Sequence, residues 1–166
     1  MRLFIFVMTI LVCGYALSGV AEGDEPLMAL RFEDYPAKHI FQGKPVQPLL
    51  DEPRTKRFKT AIRAAAARGA DFAGEFAIAT HGCGTCCKGF FIVNARTGKV
   101  YVPPFYLACH YKEGVPAYGF VDLEYQLDSE LLIARGARNE KGGGEYYYRW
   151  QDGELKLLKA LEEVSQ

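Results

Sequence analysis

Three cysteines lie close together in the run His81-Gly82-Cys83-Gly84-Thr85-Cys86-Cys87, and a fourth, Cys109, follows further along the chain. Thiolates at such spacing can serve disulfide exchange, bind a soft metal ion or act as nucleophiles. In an oxidising compartment, closely spaced cysteines instead form structural disulfides. The compartment in which the chain works therefore decides between these interpretations.

The first 21 residues have the pattern of a signal peptide. Arg2 supplies one positive charge before the apolar residues 3–12, and the small residues Gly19 and Ala21 are spaced as a signal peptidase requires. We expect cleavage after Ala21, with an uncleaved membrane anchor as the alternative. Cleavage would leave a periplasmic or secreted protein without a stable membrane span, in surroundings where cysteines pair.

The mature chain would keep an even number of cysteines, namely Cys83, Cys86, Cys87 and Cys109. A bond between the adjacent Cys86 and Cys87 would close a strained ring, which leaves two complete pairings. The first joins Cys83 to Cys87 and Cys86 to Cys109; the second joins Cys83 to Cys86 and Cys87 to Cys109. We favour the first, and the second stays open. A link to Cys109 would contribute roughly 3 kcal/mol in the chain-entropy model.

A thiol-redox or metal-binding enzyme centred on this cluster is the alternative interpretation. Cys83-Gly84-Thr85-Cys86 has the redox spacing, but residues 89–93, which follow it, predict a strand and not the helix that activates such thiols. His81 and His110 could join the cysteines around zinc or copper, although Cys109 and His110 are adjacent and seldom both reach one ion. We therefore expect no metal and no cofactor.

Other catalytic residues are scarce. After the leader the serines are Ser129, in a predicted turn, and Ser165, near the C-terminus, so a Ser-His-Asp site has almost nowhere to form. Asp122 and Glu124 lie two apart on one predicted strand face, yet such acidic pairs are common on solvated strands. No glycine-rich phosphate motif opens a helix. We assign no catalytic residue and favour a protein that is not an enzyme.

Two elements precede the predicted strands. Residues 22–52 are rich in proline and lack periodicity, which predicts an extended arm that docks on the domain. A helix then begins at Pro53, with Asp51 or Glu52 as its cap, and ends at Gly69. Its apolar stripe consists of Phe58, Ile62 and Ala65.

Residues 53–166 are expected to form a single α+β domain, in which the helix packs on a twisted antiparallel β-meander stapled by disulfides. Alternating apolar residues and turn signals place the strands between proline and glycine breaks. The predicted strands are residues 75–80, 89–94, 99–102, 118–121, 124–127, 130–135, 145–151 and 154–159.

The best-determined hairpin turns at Asp152-Gly153. This turn pairs Gln151 with Glu154, Trp150 with Leu155, Arg149 with Lys156, and Tyr148 with Leu157. Alternation then predicts a core face made of Trp150, Leu155, Tyr148 and Leu157. On the other face, Arg149 and Lys156 lie opposite each other beside Tyr147, so this face is either solvated or an anion site. We take Tyr147, Arg149, Lys156 and His81 as the candidate binding surface.

The charge pattern limits the partners. The formal net charge is zero, and loss of Arg2 with the leader would make it −1. A near-neutral chain does not attract phosphates over long range, so nucleic acid is not expected as a partner. The basic residues 54–59 are interpreted as the solvated face of the predicted helix.

Several motifs resemble a family of small exported bacterial proteins without an assigned activity. They are Phe72-Ala73-Gly74, Gly82-Cys83-Gly84-Thr85, Arg96-Thr97-Gly98-Lys99-Val100-Tyr101, Leu127-Asp128-Ser129-Glu130-Leu131-Leu132 and Glu145-Tyr146-Tyr147-Tyr148-Arg149-Trp150. The chain departs from the family pattern at Glu75-Phe76, where members show His-Tyr, and at His81, where they show Trp. It also lacks their second cysteine pair within residues 136–144. The resemblance implies export and one domain, and supplies no catalytic residue.

Together these patterns predict an exported, non-catalytic binding or structural protein of the bacterial envelope. Its partner would be an unknown protein or another component of the cell envelope, and an inhibitor or immunity protein is a natural class.

Overall fold

The computed structural model of the chain describes residues 29–109 and 121–162. Within these residues a short 3-10 helix, Phe32–Asp34, comes before α1 (Pro53–Arg57) and α2 (Lys59–Arg68). The strands are β1 (Phe76–Gly84), β2 (Cys87–Asn94), β3 (Val100–Tyr101), β4 (Leu107–Ala108), β5 (Asp122–Tyr125), β6 (Leu131–Arg135), β7 (Ala137–Arg138), β8 (Gly144–Gln151) and β9 (Glu154–Glu162). Of the predicted strand at residues 118–121, only Val121 lies within the described residues. No helix in the described part is long and apolar enough to cross a membrane.

The strands form two antiparallel sheets, whereas the sequence predicted a single meander. The first sheet has the order β1-β2-β4-β7, with β3 also paired to β2, and the second has the order β5-β6-β8-β9. The predicted α+β class is compatible with this arrangement, which is mostly β with two short helices. The prediction of one sheet was wrong because the register of distant strands is not encoded in local alternation.

The two sheets pack face to face around one apolar core. Its buried side chains come from both sheets and include Ile78, Phe90, Ile92, Leu107, Leu132, Ala134, Tyr146, Tyr148 and Trp150. Interdigitation of such inner faces is the usual way in which a β-sandwich excludes water. The core thus lies between the sheets, and other elements cover the outer face of the first sheet and part of that of the second.

On the outer face of the first sheet lies α2. Its buried residues pack against β1 and β2 in a second cluster made of Ile62, Ala65, Ala66, Ala77, Ala79, Phe91 and Val93. The predicted stripe is therefore present, but the helix is broken at Phe58, whose φ of −104° and ψ of 22° are not helical. The predicted ends are confirmed: Pro53 opens α1 after Glu52, and Gly69 follows α2 with a φ of 91°.

The arm partly covers the second sheet. Leu30, Phe32 and Tyr35 pack on a third cluster formed by Leu131, Ile133 and Tyr147. The hydroxyl oxygen of Ser129 lies 2.8 Å from the carbonyl oxygen of Phe32 and 3.0 Å from that of Tyr35. The arm continues as extended chain along the first sheet, where the amides of Phe41, Val46 and Leu49 donate to the carbonyls of Gly74, Ala95 and Gly98.

The hairpin of β8 and β9 has the four predicted residue pairs. Asp152 and Gly153 have φ angles of 55° and 81°, as a two-residue turn with left-handed residues requires. The core assignment of Leu157 was wrong, because this side chain is 47% exposed. Leu157 lies opposite Tyr148 on β9, which is the edge strand of its sheet and is covered only in part by the first sheet.

The chain crosses from the second sheet to the first at Gly136, between β6 and β7. This residue has a φ of 128°, and a Cβ there would lie 2.9 Å from the carbonyl oxygen of Ala108. Only glycine tolerates both the positive φ and the close approach of another backbone. The crossing lets β7 pair with β4, and neither two-residue strand was predicted.

Candidate functional site

The cysteine cluster forms two disulfide bonds at the end of the β1–β2 hairpin. Cys83 is bonded to Cys87 with Cα atoms 5.1 Å apart, and Cys86 is bonded to Cys109 with Cα atoms 5.5 Å apart. The favoured of the two predicted pairings is therefore confirmed. The amide of Cys109 also donates to the carbonyl of Cys86 at 3.0 Å, so the β2 turn and the end of β4 are held together. Cys83 and Cys86, which have the redox spacing, are not bonded to each other.

His81 lies beside these disulfides, but its ring packs against Phe58 and Phe91 and not against the cysteines. Its ring stacks on Phe58 at a centroid distance of 3.7 Å and lies 5.2 Å from the ring of Phe91. Its Nδ1 atom is 3.1 Å from the carbonyl oxygen of Gly82, and its Nε2 atom is buried without a hydrogen-bond partner. Among the described residues, no three His, Cys, Asp or Glu side chains group closely enough to hold a metal ion.

The other three residues of the predicted binding surface do not form a shared anion site. Tyr147 is only 1% exposed, and its hydroxyl donates to Glu145. Burial and this hydrogen bond raise the pKa of Tyr147 to about 12. Alternation placed Tyr147 on the outer face correctly, but it could not reveal that the arm covers this part of the sheet.

Each of the two predicted cations has its own carboxylate. The Nε atom of Arg149 donates to Glu130 at 2.9 Å, and the Nζ atom of Lys156 lies 3.5 Å from Asp152. The two residues are directly opposite each other, as predicted. Separate neutralisation removes the repulsion that a like-charged cross-strand pair would otherwise cause.

The carboxylates of Asp122 and Glu124 are held by Arg135. The Nη1 atom of this residue is 2.8 Å from Glu124 and 4.0 Å from Asp122, while its Nε atom donates to Glu145 at 2.7 Å. Burial raises the pKa of Glu145, but hydrogen bonds from Tyr147 and Arg135 outweigh it, and the pKa is lowered overall. The acidic pair is thus part of an ion-pair network that joins β5, β6 and β8.

A second network, which sequence reasoning missed, centres on Glu75. Its carboxylate accepts hydrogen bonds from His39 at 2.9 Å, Asn94 at 2.8 Å and Arg96 at 2.9 Å. Arg96 also lies over the ring of Phe41, 4.8 Å from its centroid. Because β1 pairs with β2, the start of β1 and the turn after β2 lie at one end of the hairpin, and this pairing is the signal that could have joined Glu75 to Arg96.

One surface carries exposed cations without carboxylate partners. We call it the basic face and define it by Arg54, Lys56, Arg57, Lys59 and Arg63 on α1 and α2. All five are exposed, and none forms an ion pair with a carboxylate in the described part of the chain. Two of them contact aromatic rings instead, since Arg54 lies 5.8 Å from the centroid of Phe91 and Arg57 lies 5.5 Å from that of Phe58.

A groove opens between the two sheets on the side where β9 forms an edge. It consists of two cavities of about 510 and about 260 Å³, which share Pro104 and Leu155. The larger cavity is also lined by Phe105, Tyr148, Arg138 and Lys141, and the smaller by Tyr101 and Trp150. We call this feature the inter-sheet groove.

Comparison with known proteins gives no relative from which a function could be transferred. No protein-family model, curated protein or solved structure matches the chain.

Proposed function

We propose that the mature chain is an exported, non-catalytic protein of the bacterial envelope, and that its basic face binds an acidic surface of another protein. The observation that carries this proposal is the set of five exposed cations, Arg54 to Arg63, that have no carboxylate partner within the described residues. The two disulfides support the export part of the proposal, because such bonds persist mainly in oxidising compartments.

The charges of the basic face that lie on α2 oppose the stability of that helix. Lys59 and Arg63 are four residues apart on α2, where like charges destabilise a helix by about 0.2–0.5 kcal/mol. The first turn of α2 also holds Lys59 and no acidic residue, although the helix dipole favours acids there. The cations of α1 differ, because they lie in its last turn, where the dipole favours them. Local rules that are broken without compensation are typical of functional surfaces, and an acidic partner would turn these costs into attraction.

The side chains between the cations favour a protein partner over a lipid bilayer. The exposed uncharged residues of α2 are Thr60, Ala64 and Ala67. An interfacial membrane helix inserts large apolar side chains such as Trp, Phe or Leu, and none is exposed on this face of α2. Small residues instead allow a folded partner to approach closely, so that its carboxylates can reach the lysine and arginine side chains.

Site-specific photo-crosslinking in cells tests this surface. A photoreactive amino acid at position 59 is expected to crosslink to one acidic protein, and the same probe at position 156, on the exposed β9, is the control. Adding Lys56→Glu and Arg63→Glu should abolish the product from position 59 without loss of the folded protein. The proposal would be contradicted if both positions gave the same crosslinked product, or if the product from position 59 survived the charge reversals. Binding of the purified protein to anionic vesicles alone would also contradict it.

The alternative is a thiol-redox or metal-binding enzyme at the Cys83–Cys87 cluster. Its motivation is the redox spacing of Cys83 and Cys86, but these two cysteines are bonded in disulfides to Cys87 and Cys109. Free thiols and bound zinc are to be counted in protein recovered from the periplasm. We expect fewer than one free thiol per chain; two unreacted cysteines or stoichiometric zinc would favour the enzyme, and recovery from the cytoplasm would contradict export.

A further inference from the structure

The inter-sheet groove exists because the edge of the first sheet is interrupted. Its chain leaves β3, passes Pro103 and Pro104, and pairs again as β4. Proline has no N–H group, so neither residue can donate a hydrogen bond to a neighbouring strand. The gap faces β9, the edge strand of the second sheet. The interior of the sandwich is therefore accessible from this side.

Four aromatic side chains line the groove. Phe105 stacks on Tyr148 with centroids 5.1 Å apart, and Tyr101 meets Trp150 edge to face at 5.1 Å. Leu155 borders both cavities. The larger cavity, of about 510 Å³, suits a small organic molecule, because ligand pockets usually measure about 300–1,000 Å³. The smaller cavity, of about 260 Å³, extends the groove towards Trp150.

One end of the groove carries two cations, Arg138 and Lys141, and neighbouring side chains fix the position of Arg138. The guanidinium of Arg138 lies 3.8 Å from the centroid of the Tyr146 ring, and its Nη1 atom donates to the Tyr148 hydroxyl at 3.0 Å. Its Nη2 atom is 3.4 Å from Glu162, which is exposed and can move away. Lys141 lines the same cavity and makes no ion pair within the described residues.

We propose that the inter-sheet groove binds a small organic anion with a flat aromatic body. Its carboxylate or sulfonate group lies between Arg138 and Lys141 in the larger cavity, where two cations exceed the single carboxylate of Glu162. The other acid of the groove, Glu154, lines the smaller cavity. Its body lies against Phe105, Tyr148 and Leu155, in the direction of Trp150. A cationic ligand would meet net repulsion at the charged end, and a wholly apolar one would leave the two cations desolvated without a partner. This site is separate from the basic face and does not depend on it.

The test uses the single tryptophan of the chain as a reporter, because Trp150 borders the smaller cavity. The probe is 1-anilinonaphthalene-8-sulfonate, added to the purified, disulfide-bonded protein, with energy transfer from Trp150 measured. We expect saturable binding of one probe per chain. N-phenyl-1-naphthylamine, which has the same rings without the sulfonate, should bind at least about tenfold more weakly, since a charge-assisted contact is lost.

Variants separate the groove from other basic surfaces. Lys141→Gln should weaken binding of the sulfonate about threefold to fivefold and leave the neutral probe unchanged. Arg138→Gln should weaken it about tenfold or more, and circular dichroism checks that this variant stays folded. Lys59→Gln removes the same charge from the basic face and should have no effect. The proposal would be overturned if both probes bound with equal affinity, or if energy transfer were not saturable. It would also be overturned if Lys141→Gln left the affinity for the sulfonate unchanged, or if Lys59→Gln lowered it equally.

Discussion

Replacing Glu75 by glutamine should loosen the arm from the domain. The Glu75 side chain is 15% exposed, and its two oxygens accept hydrogen bonds from His39, Asn94 and Arg96. The amide oxygen of glutamine can still accept from Asn94, but the charge that holds the other two donors is lost. His39 and Arg96 are half exposed and can return to water, so we expect a loss of about 1.5 kcal/mol in the free energy of unfolding, measured in urea at pH 7.

The effect of Glu75→Gln should depend on pH. Burial raises the pKa of Glu75, but the hydrogen bonds from His39, Arg96 and Asn94 outweigh it and hold the pKa below its usual 4.5. A carboxyl whose folded-state pKa is lowered stabilises the protein above its unfolded-state pKa, and this contribution is lost as pH falls through the folded-state value. The difference between the wild type and Glu75→Gln should therefore shrink below about pH 4.5.

Limited proteolysis shows where the stability is lost. Trypsin should cut Glu75→Gln faster than the wild type after Lys38, which lies in the arm next to His39. Glu33→Gln is the matched control, because Glu33 is an exposed acid of the same arm. The reasoning is refuted if the two variants are equally stable, or if the loss in Glu75→Gln persists unchanged at pH 3.

Three further substitutions test the packing of the layers. Gly74→Ala should lower the free energy of unfolding by more than about 2 kcal/mol, because the new Cβ would lie 1.8 Å from the carbonyl oxygen of His39 at a φ of 81°. It should also speed trypsin cleavage of the arm, and an unchanged cleavage rate would contradict this. Replacing Cys86 and Cys109 together by serine opens a loop with a sequence separation of 23 and should lower the free energy of unfolding in urea by about 3 kcal/mol. A loss below about 1 kcal/mol would mean that this disulfide does not stabilise the fold. Ile62→Ala, at a fully buried position on the inner face of α2, should cost about 3 kcal/mol in the same assay; no loss would mean that the helix does not pack there.

Local signals in the sequence predicted the elements whose partners are close in the chain. The Asp152-Gly153 turn fixed the register of β8 and β9, because a two-residue turn leaves only one pairing. Pro53 and Gly69 likewise marked the ends of the helical segment. In both cases the deciding residues are neighbours, and no distant contact is needed.

Contacts between distant segments were not predictable in the same way. Strands β4 and β7 have two residues each, too few to show alternation, and they pair only because the chain crosses between sheets at Gly136. Leu157 was assigned to the core because alternation gives a face but not what covers that face. The division into two sheets follows from these long-range choices.

The candidate sites were predictable to different degrees. Cysteine spacing and an even count reduced the disulfides to two pairings, and one of these is present. The basic face was visible in the sequence as a charge run, but only the structure shows that its cations have no carboxylate partners among the described residues. The inter-sheet groove had no sequence signal, since its walls come from both sheets.

The contacts of Ser129 with the arm imply an order of assembly. Ser129 is 97 residues from Phe32 and 94 from Tyr35, although its hydroxyl oxygen is within 3.0 Å of both carbonyl oxygens. A chain synthesised from its amino terminus makes the arm first, but the surface that receives it exists only after the later strands have paired. Arm docking is then a late event on the folding pathway. Substitutions in the arm should accelerate unfolding and leave the folding rate nearly unchanged.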